Sequence, residues 1–139
     1  METKLAKEDI AALVDGLHFA QKVERSLRLI SEAYQEFGDK LVVASSLGKD
    51  SGAVWHLAKR VSPKIRGFIV TTRYKPAETV RFMEEEVARY PELQVFRNDA
   101  PQPDQLYLSD PDLCCYNLKV VPVRRAVEEM DVDCWVTGL

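Results

Sequence analysis

Two short apolar runs limit what this chain can become. "KLVVAS" (residues 40–45) and "IRGFIVT" (65–71) are apolar at both odd and even positions and rich in β-branched side chains, the pattern of strands buried on both faces. Between them, residues 51–61 carry helical spacing that stops at Ser62 and Pro63, where proline discourages a further helical turn. Strand, helix and strand in that order need a crossover, and the crossover makes the strands parallel. The alternation continues. "PAETVRFMEEEVARY" reads as a helix with Pro76 at its start, "LQVFRN" as a weaker third strand, "CYNLKVVPVRRAVEEM" as a helix in spite of Pro122, and "DCWVTG" as a further strand. Residues 98–112 hold three prolines and four aspartates and read as a long loop of the kind that carries function. Ahead of the first strand, apolar positions from Ile10 to Phe37 recur at three and four, and Gly38 ends that helix. The expected fold class is therefore α/β: three αβα layers with a mainly parallel sheet, preceded by an N-terminal helical segment (1–37). In such sheets ligands bind beyond the carboxyl ends of the strands.

Charge and composition exclude several partners. The formal net charge is −3, with lysines and arginines scattered among acids and no block of one sign. No nucleic-acid backbone or anionic membrane is expected as partner. The first residues carry charges every few positions, and no stretch approaches the roughly 18 apolar residues of a spanning helix, so the expected location is cytoplasmic. Three cysteines, two of them adjacent (Cys114 and Cys115), make a poor disulfide framework.

The chemistry concentrates where the first strand breaks into Ser45-Ser46-Leu47-Gly48-Lys49-Asp50-Ser51. Free amides at a helix N-terminus, hydroxyl donors and a lysine there make an anion site suited to phosphate. The same residue types also serve as ordinary helix caps. The run is neither G-x-x-x-x-G-K-[ST], since Val43 stands where the first glycine is needed, nor G-x-G-x-x-G. At the other end of the domain, Cys114 and Cys115 open a helix, where the dipole and a nearby Lys119 favour thiolate, the metal-binding form.

These residues carry a family resemblance. "SSLGKDS" resembles the S-G-G-x-D-S PP-loop of the adenine-nucleotide α-hydrolase-like group, with Leu47 in place of the first glycine. "CCYNLKVVPVRRAVEEMDVDCWVTGL" resembles the sulfonucleotide reductase branch, C-C-x-x-x-K-x-x-P-x-x-R followed by W-x-T-G, through Cys114, Cys115, Lys119, Pro122, Arg125, Trp135, Thr137 and Gly138. "TTRYKPAETVRF" is similar to D-T-G-x-x-x-P-E-T only at Thr72, Glu78 and Thr79. The resemblance implies a Rossmann-like PP-loop nucleotide-binding domain over 38–139, truncated at its C-terminal end. It implies a reductase of adenylyl sulfate or phosphoadenylyl sulfate in reductive sulfate assimilation, with thioredoxin or glutaredoxin as reductant. Ser45, Ser46, Gly48, Lys49, Asp50, Ser51, Thr72, Lys119 and Gly138 would bind the nucleotide. Cys114 and Cys115 would give two of the four thiolates of a [4Fe-4S] cluster. The resemblance assigns the catalytic cysteine to a tail beyond this sequence, so no catalytic residue is assigned here and the chain alone is expected to bind without turnover. A PP-loop ATP pyrophosphatase and a non-catalytic adenine-nucleotide module are the alternative readings, and a homo-oligomer is open.

The other candidates read as structural. Cys134, beside Trp135 in an apolar strand, is expected to be a packed thiol. Trp55 is expected against the sheet rather than on an adenine. His18 and His56 lack spaced partners for a metal. Arg73 and Lys75, after the second strand, suit either phosphate or plain loop charge.

Overall fold

The computed structural model describes residues 6–138. The elements run α1 (Lys7–Asp15), α2 (Phe19–Phe37), β1 (Leu41–Ser45), α3 (Lys49–Val61), β2 (Arg66–Val70), α4 (Ala77–Arg89), β3 (Leu93–Phe96), α5 (Leu106–Ser109), α6 (Pro111–Cys115), a π-helical turn (Tyr116–Val120), α7 (Val121–Glu129) and β4 (Cys134–Val136). All strands are parallel, in the order β3-β2-β1-β4.

The two-faced apolar pattern is what builds the layers. On β1, Leu41 and Val43 face a core shared with Ile30 of α2, Trp55 and Ala58 of α3, and Ile69 and Leu93 of the neighbouring strands. Val42, one residue out of phase, faces the other way, into a core with Phe68, Phe96, Ala126 and Met130. Helices α2 and α3 thus cover one face and α7 the other, as alternate side chains on a strand require. Close approach is fixed at Gly67, where a Cβ would stand 2.8 Å from both Trp55 and Leu93. Trp55 fills that space, 4% exposed, with Tyr90 edge-on to it at 5.4 Å and the Lys59 ammonium 4.8 Å from its ring centre.

Three boundaries differ from the sequence pattern. The N-terminal helical stretch is two helices, because Gly16 closes α1 with a bond to Ala12 and the His18 amide donates to Gln21 Oε1 at 2.8 Å to begin α2. Apolar spacing hides this break, since both helices keep the same period. The expected loop 98–112 contains α5 and the start of α6, which Asp110 caps by accepting from the Leu113 amide at 3.0 Å, with Pro111 in the first helical position. Pro122 is tolerated because the π turn immediately precedes it and absorbs the bond the proline cannot donate.

Candidate nucleotide site

β1 lies between β2 and β4, so the segments leaving the carboxyl ends of these three strands converge on one edge of the sheet. Ser45 ends β1, and the chain reverses at Leu47, whose φ of 64° is left-handed. A side chain there costs about 1–2 kcal/mol. Leu47 holds the turn because its side chain packs on the core beneath. The hydroxyls lock the loop. Ser51, 4% exposed, accepts from the Ser46 amide at 3.1 Å, lies 3.1 Å from Ser46 Oγ and donates to the Gly48 carbonyl at 3.2 Å. The Leu47 amide donates to Ser45 Oγ at 3.2 Å.

The first helical bond of α3 runs from Gly52 to Gly48, and Gly48 has no side chain with which to cap the turn. The amides of Lys49, Asp50 and Ser51 therefore precede the helical ladder, at the positive end of the helix dipole. Gly138, just past β4, lies so close that a Cβ would be 2.7 to 2.8 Å from the backbone of Asp50 and Ser51. Any other residue there would push the β4 segment off the start of α3.

Beside this loop is a cavity of about 440 Å³, lined by Ser45, Ser46, Ser51, Thr72, Lys75, Lys119, Thr137 and Gly138 over an apolar floor that includes Phe68, Val70 and Val123. A second cavity of about 560 Å³ holds Cys114 and Cys115 together with Tyr74, Tyr107 and Leu118. The two share Thr72, Lys75 and Lys119. Six of the expected nucleotide residues, Ser45, Ser46, Ser51, Thr72, Lys119 and Gly138, thus come together, and the cysteine pair adjoins them. Gly48, Lys49 and Asp50 shape the loop from outside the cavity wall. Lys49 Nζ pairs with Asp50 Oδ1 at 3.0 Å, and its side chain is 90% exposed.

The cysteines sit about one turn into a continuous helical run that begins at Pro111, rather than at its first residue. Cys114 is buried and Cys115 exposed. Gln102 Nε2 donates to Cys114 Sγ at 3.7 Å, while Gln102 Oε1 is buried without a partner. Among the described residues no group of three or more His, Cys, Asp or Glu could hold a metal. Both thiols nevertheless line the same cavity.

Cys134 lies apart from this pair and outside its cavity. It pairs in register with Leu41 at the opposite end of β1 and packs partly against the core; burial, with Glu36 nearby, pushes its thiol above the ordinary value. The chain pattern gave no hint of Gln102, which lies in a proline-rich stretch without periodicity. Thr137 was readable in W-x-T-G as part of the resemblance, and the structure puts it in the cavity wall.

A family model described as the phosphoadenosine phosphosulfate reductase domain matches residues 40–139. This chain belongs to that family. The adenosine 5′-phosphosulfate reductase of Halalkalibacterium halodurans is 34% identical over 95% of this chain and 60% of its own length. The phosphoadenosine 5′-phosphosulfate reductase of Gloeobacter violaceus is 31% identical over 80% of this chain and 49% of its own. The chain therefore spans about half to three-fifths of these family members. The fold matches a phosphoadenylyl-sulfate reductase from Candida auris, solved as a phosphate complex, with a TM-score of 0.70 and 19% identity over all of this chain and 70% of that one. Among the described residues no helix is long and apolar enough to cross a membrane.

Proposed function

We propose that the chain is the nucleotide-binding portion of a sulfonucleotide reductase, an oxidoreductase that takes adenylyl sulfate or phosphoadenylyl sulfate in reductive sulfate assimilation in the cytoplasm. One observation carries this reading: a cavity walled by the serine loop and a cavity holding two adjacent cysteines meet at the same three residues, Thr72, Lys75 and Lys119. The amides at the start of α3, with Ser45, Ser46 and Gly138 around them, take the α-phosphate. Gly48 keeps the turn open, and Lys49 and Asp50 contribute their amides, their side chains being paired to each other. Thr72 and Lys119 reach toward the cysteines. Cys114 and Cys115 would supply two thiolates to a [4Fe-4S] cluster, whose remaining ligands come from outside the described residues. Bound there, the cluster would set a charged, redox-active group beside the sulfur-bearing end of the substrate. These residues bind and orient, and thioredoxin or glutaredoxin is the proposed reductant of the whole enzyme.

Calorimetric titration with adenylyl sulfate and with AMP tests the reading. Ser51→Ala removes the hydroxyl that fixes Ser46 and Gly48, a loss of about 1–3 kcal/mol in a buried network, so both affinities should fall roughly tenfold or more. Unchanged affinity, or binding of neither nucleotide by the unaltered chain, contradicts it.

A further inference from the structure

The cations near the site are not equivalent. Lys49 is neutralised by Asp50 and points to solvent. Arg73 is spent on the loop across from it, donating to the Ala100 carbonyl at 3.0 Å and lying over Tyr74. Arg125 pairs with Glu129. Lys75 and Lys119, by contrast, line both cavities, and among the described residues neither has a carboxylate within ion-pair distance. An anion held where the two cavities meet would be attracted by both ammonium groups.

A sulfonucleotide carries two separate anionic groups. On the reading above, the serine loop and the α3 amides take the α-phosphate, and the sulfate would then extend toward the cysteine cavity, past the reach of those amides. We infer that Lys75 holds the sulfate at the junction of the two cavities, and that it is the residue by which this chain prefers a sulfonucleotide to the bare nucleoside monophosphate. The inference rests on the sulfonucleotide reading above and adds a residue that its motifs leave unassigned. Lysine suits the task, since a flexible stem lets a compact point charge follow a tetrahedral anion. Its place in the loop between β2 and α4, immediately before Pro76, fixes the backbone from which the stem extends.

The test compares two ligands on the full chain. Adenylyl sulfate and AMP are titrated into the unaltered protein, Lys75→Met, Lys75→Arg, Ser51→Ala and Lys64→Met, the last a control for net charge at an exposed site in the α3–β2 connection. Lys75→Met should weaken adenylyl sulfate about tenfold or more, as expected for loss of a charged hydrogen bond, and leave AMP within about twofold. Lys75→Arg should recover part of the loss, and Lys64→Met should change neither ligand. Equal losses for both ligands, or no loss for either, overturn the inference while the reading above stands. If Ser51→Ala is also without effect, the loop is not the site and both fall.

Discussion

Leu47 shows how a single residue can shape a loop through packing alone. Its backbone turns left-handed, a conformation glycine adopts freely, and its side chain is tied to the core under α3. The loop therefore keeps its shape by packing where the related motif keeps it by glycine. The three thiols separate just as clearly by surroundings. Cys115 is exposed, Cys114 is buried with Gln102 as donor, and Cys134 is partly buried with its pKa raised by burial and then by Glu36. At neutral pH a maleimide should label exposed Cys115 well ahead of buried Cys114 and of partly buried Cys134, as peptide mapping of the timed products will show; labelling of Cys134 as fast as Cys115 would contradict the assigned packing. Because folding raises the Cys134 pKa, the fold holds its proton more tightly than the open chain does. That contribution to stability is complete below the ordinary thiol value of 9.0 and is lost as pH rises from there through the raised value. Urea midpoints measured from pH 7 to 10 should fall less steeply for Cys134→Ala than for the unaltered chain.

At the scale of elements, the decisive feature is a strand whose two faces are both inside. Ile69 is 1% exposed and sits with Leu41, Val43 and Trp55; Ile69→Ala should cost about 2–5 kcal/mol, from lost burial and the cavity left behind, read as a lowered urea midpoint at unchanged m-value. Asp110 does a different job. Its carboxylate caps the helix that bears the cysteines, so Asp110→Ala should cost about 1 kcal/mol and raise hydrogen exchange across residues 111–118 while leaving β1 protected. Strands and long helices were legible because burial stamps a period on the sequence. The break at Gly16, the helix α5 and the π turn were not, because each depends on a local bond or on absorbing one residue, which leaves the apolar spacing intact. The proline-aspartate composition of 98–112 announced a loop, and the Asp110-Pro111 start signal inside it was the readable exception.

In the molecule as a whole, parallel order 3-2-1-4 gathers residues from positions 45 to 138 at one end of the sheet. The serine loop and the cysteine pair were each visible in the sequence as motifs; their adjacency was not, since no local pattern states which strand lies beside which. Nor could the sequence rank its cations, because Lys49 sits in the motif and Lys75 outside it, and only the fold pairs the first with Asp50 and leaves the second at the meeting of two cavities. The far end of the sheet has a different character. There Lys40 bridges Asp131 and Asp133 at 3.2 and 3.3 Å, both of which raise its pKa, and Arg66 ties the Asp39 and Met130 carbonyls, so its charges are used in closing the structure. A chain of 15.8 kDa is well suited to amide chemical-shift mapping with adenylyl sulfate. The largest shifts should fall at residues 46–51 and at Thr72, Lys75, Lys119 and Gly138; shifts centred on Lys40, Arg66 and Asp131, or none at the serine loop, would contradict the proposed site.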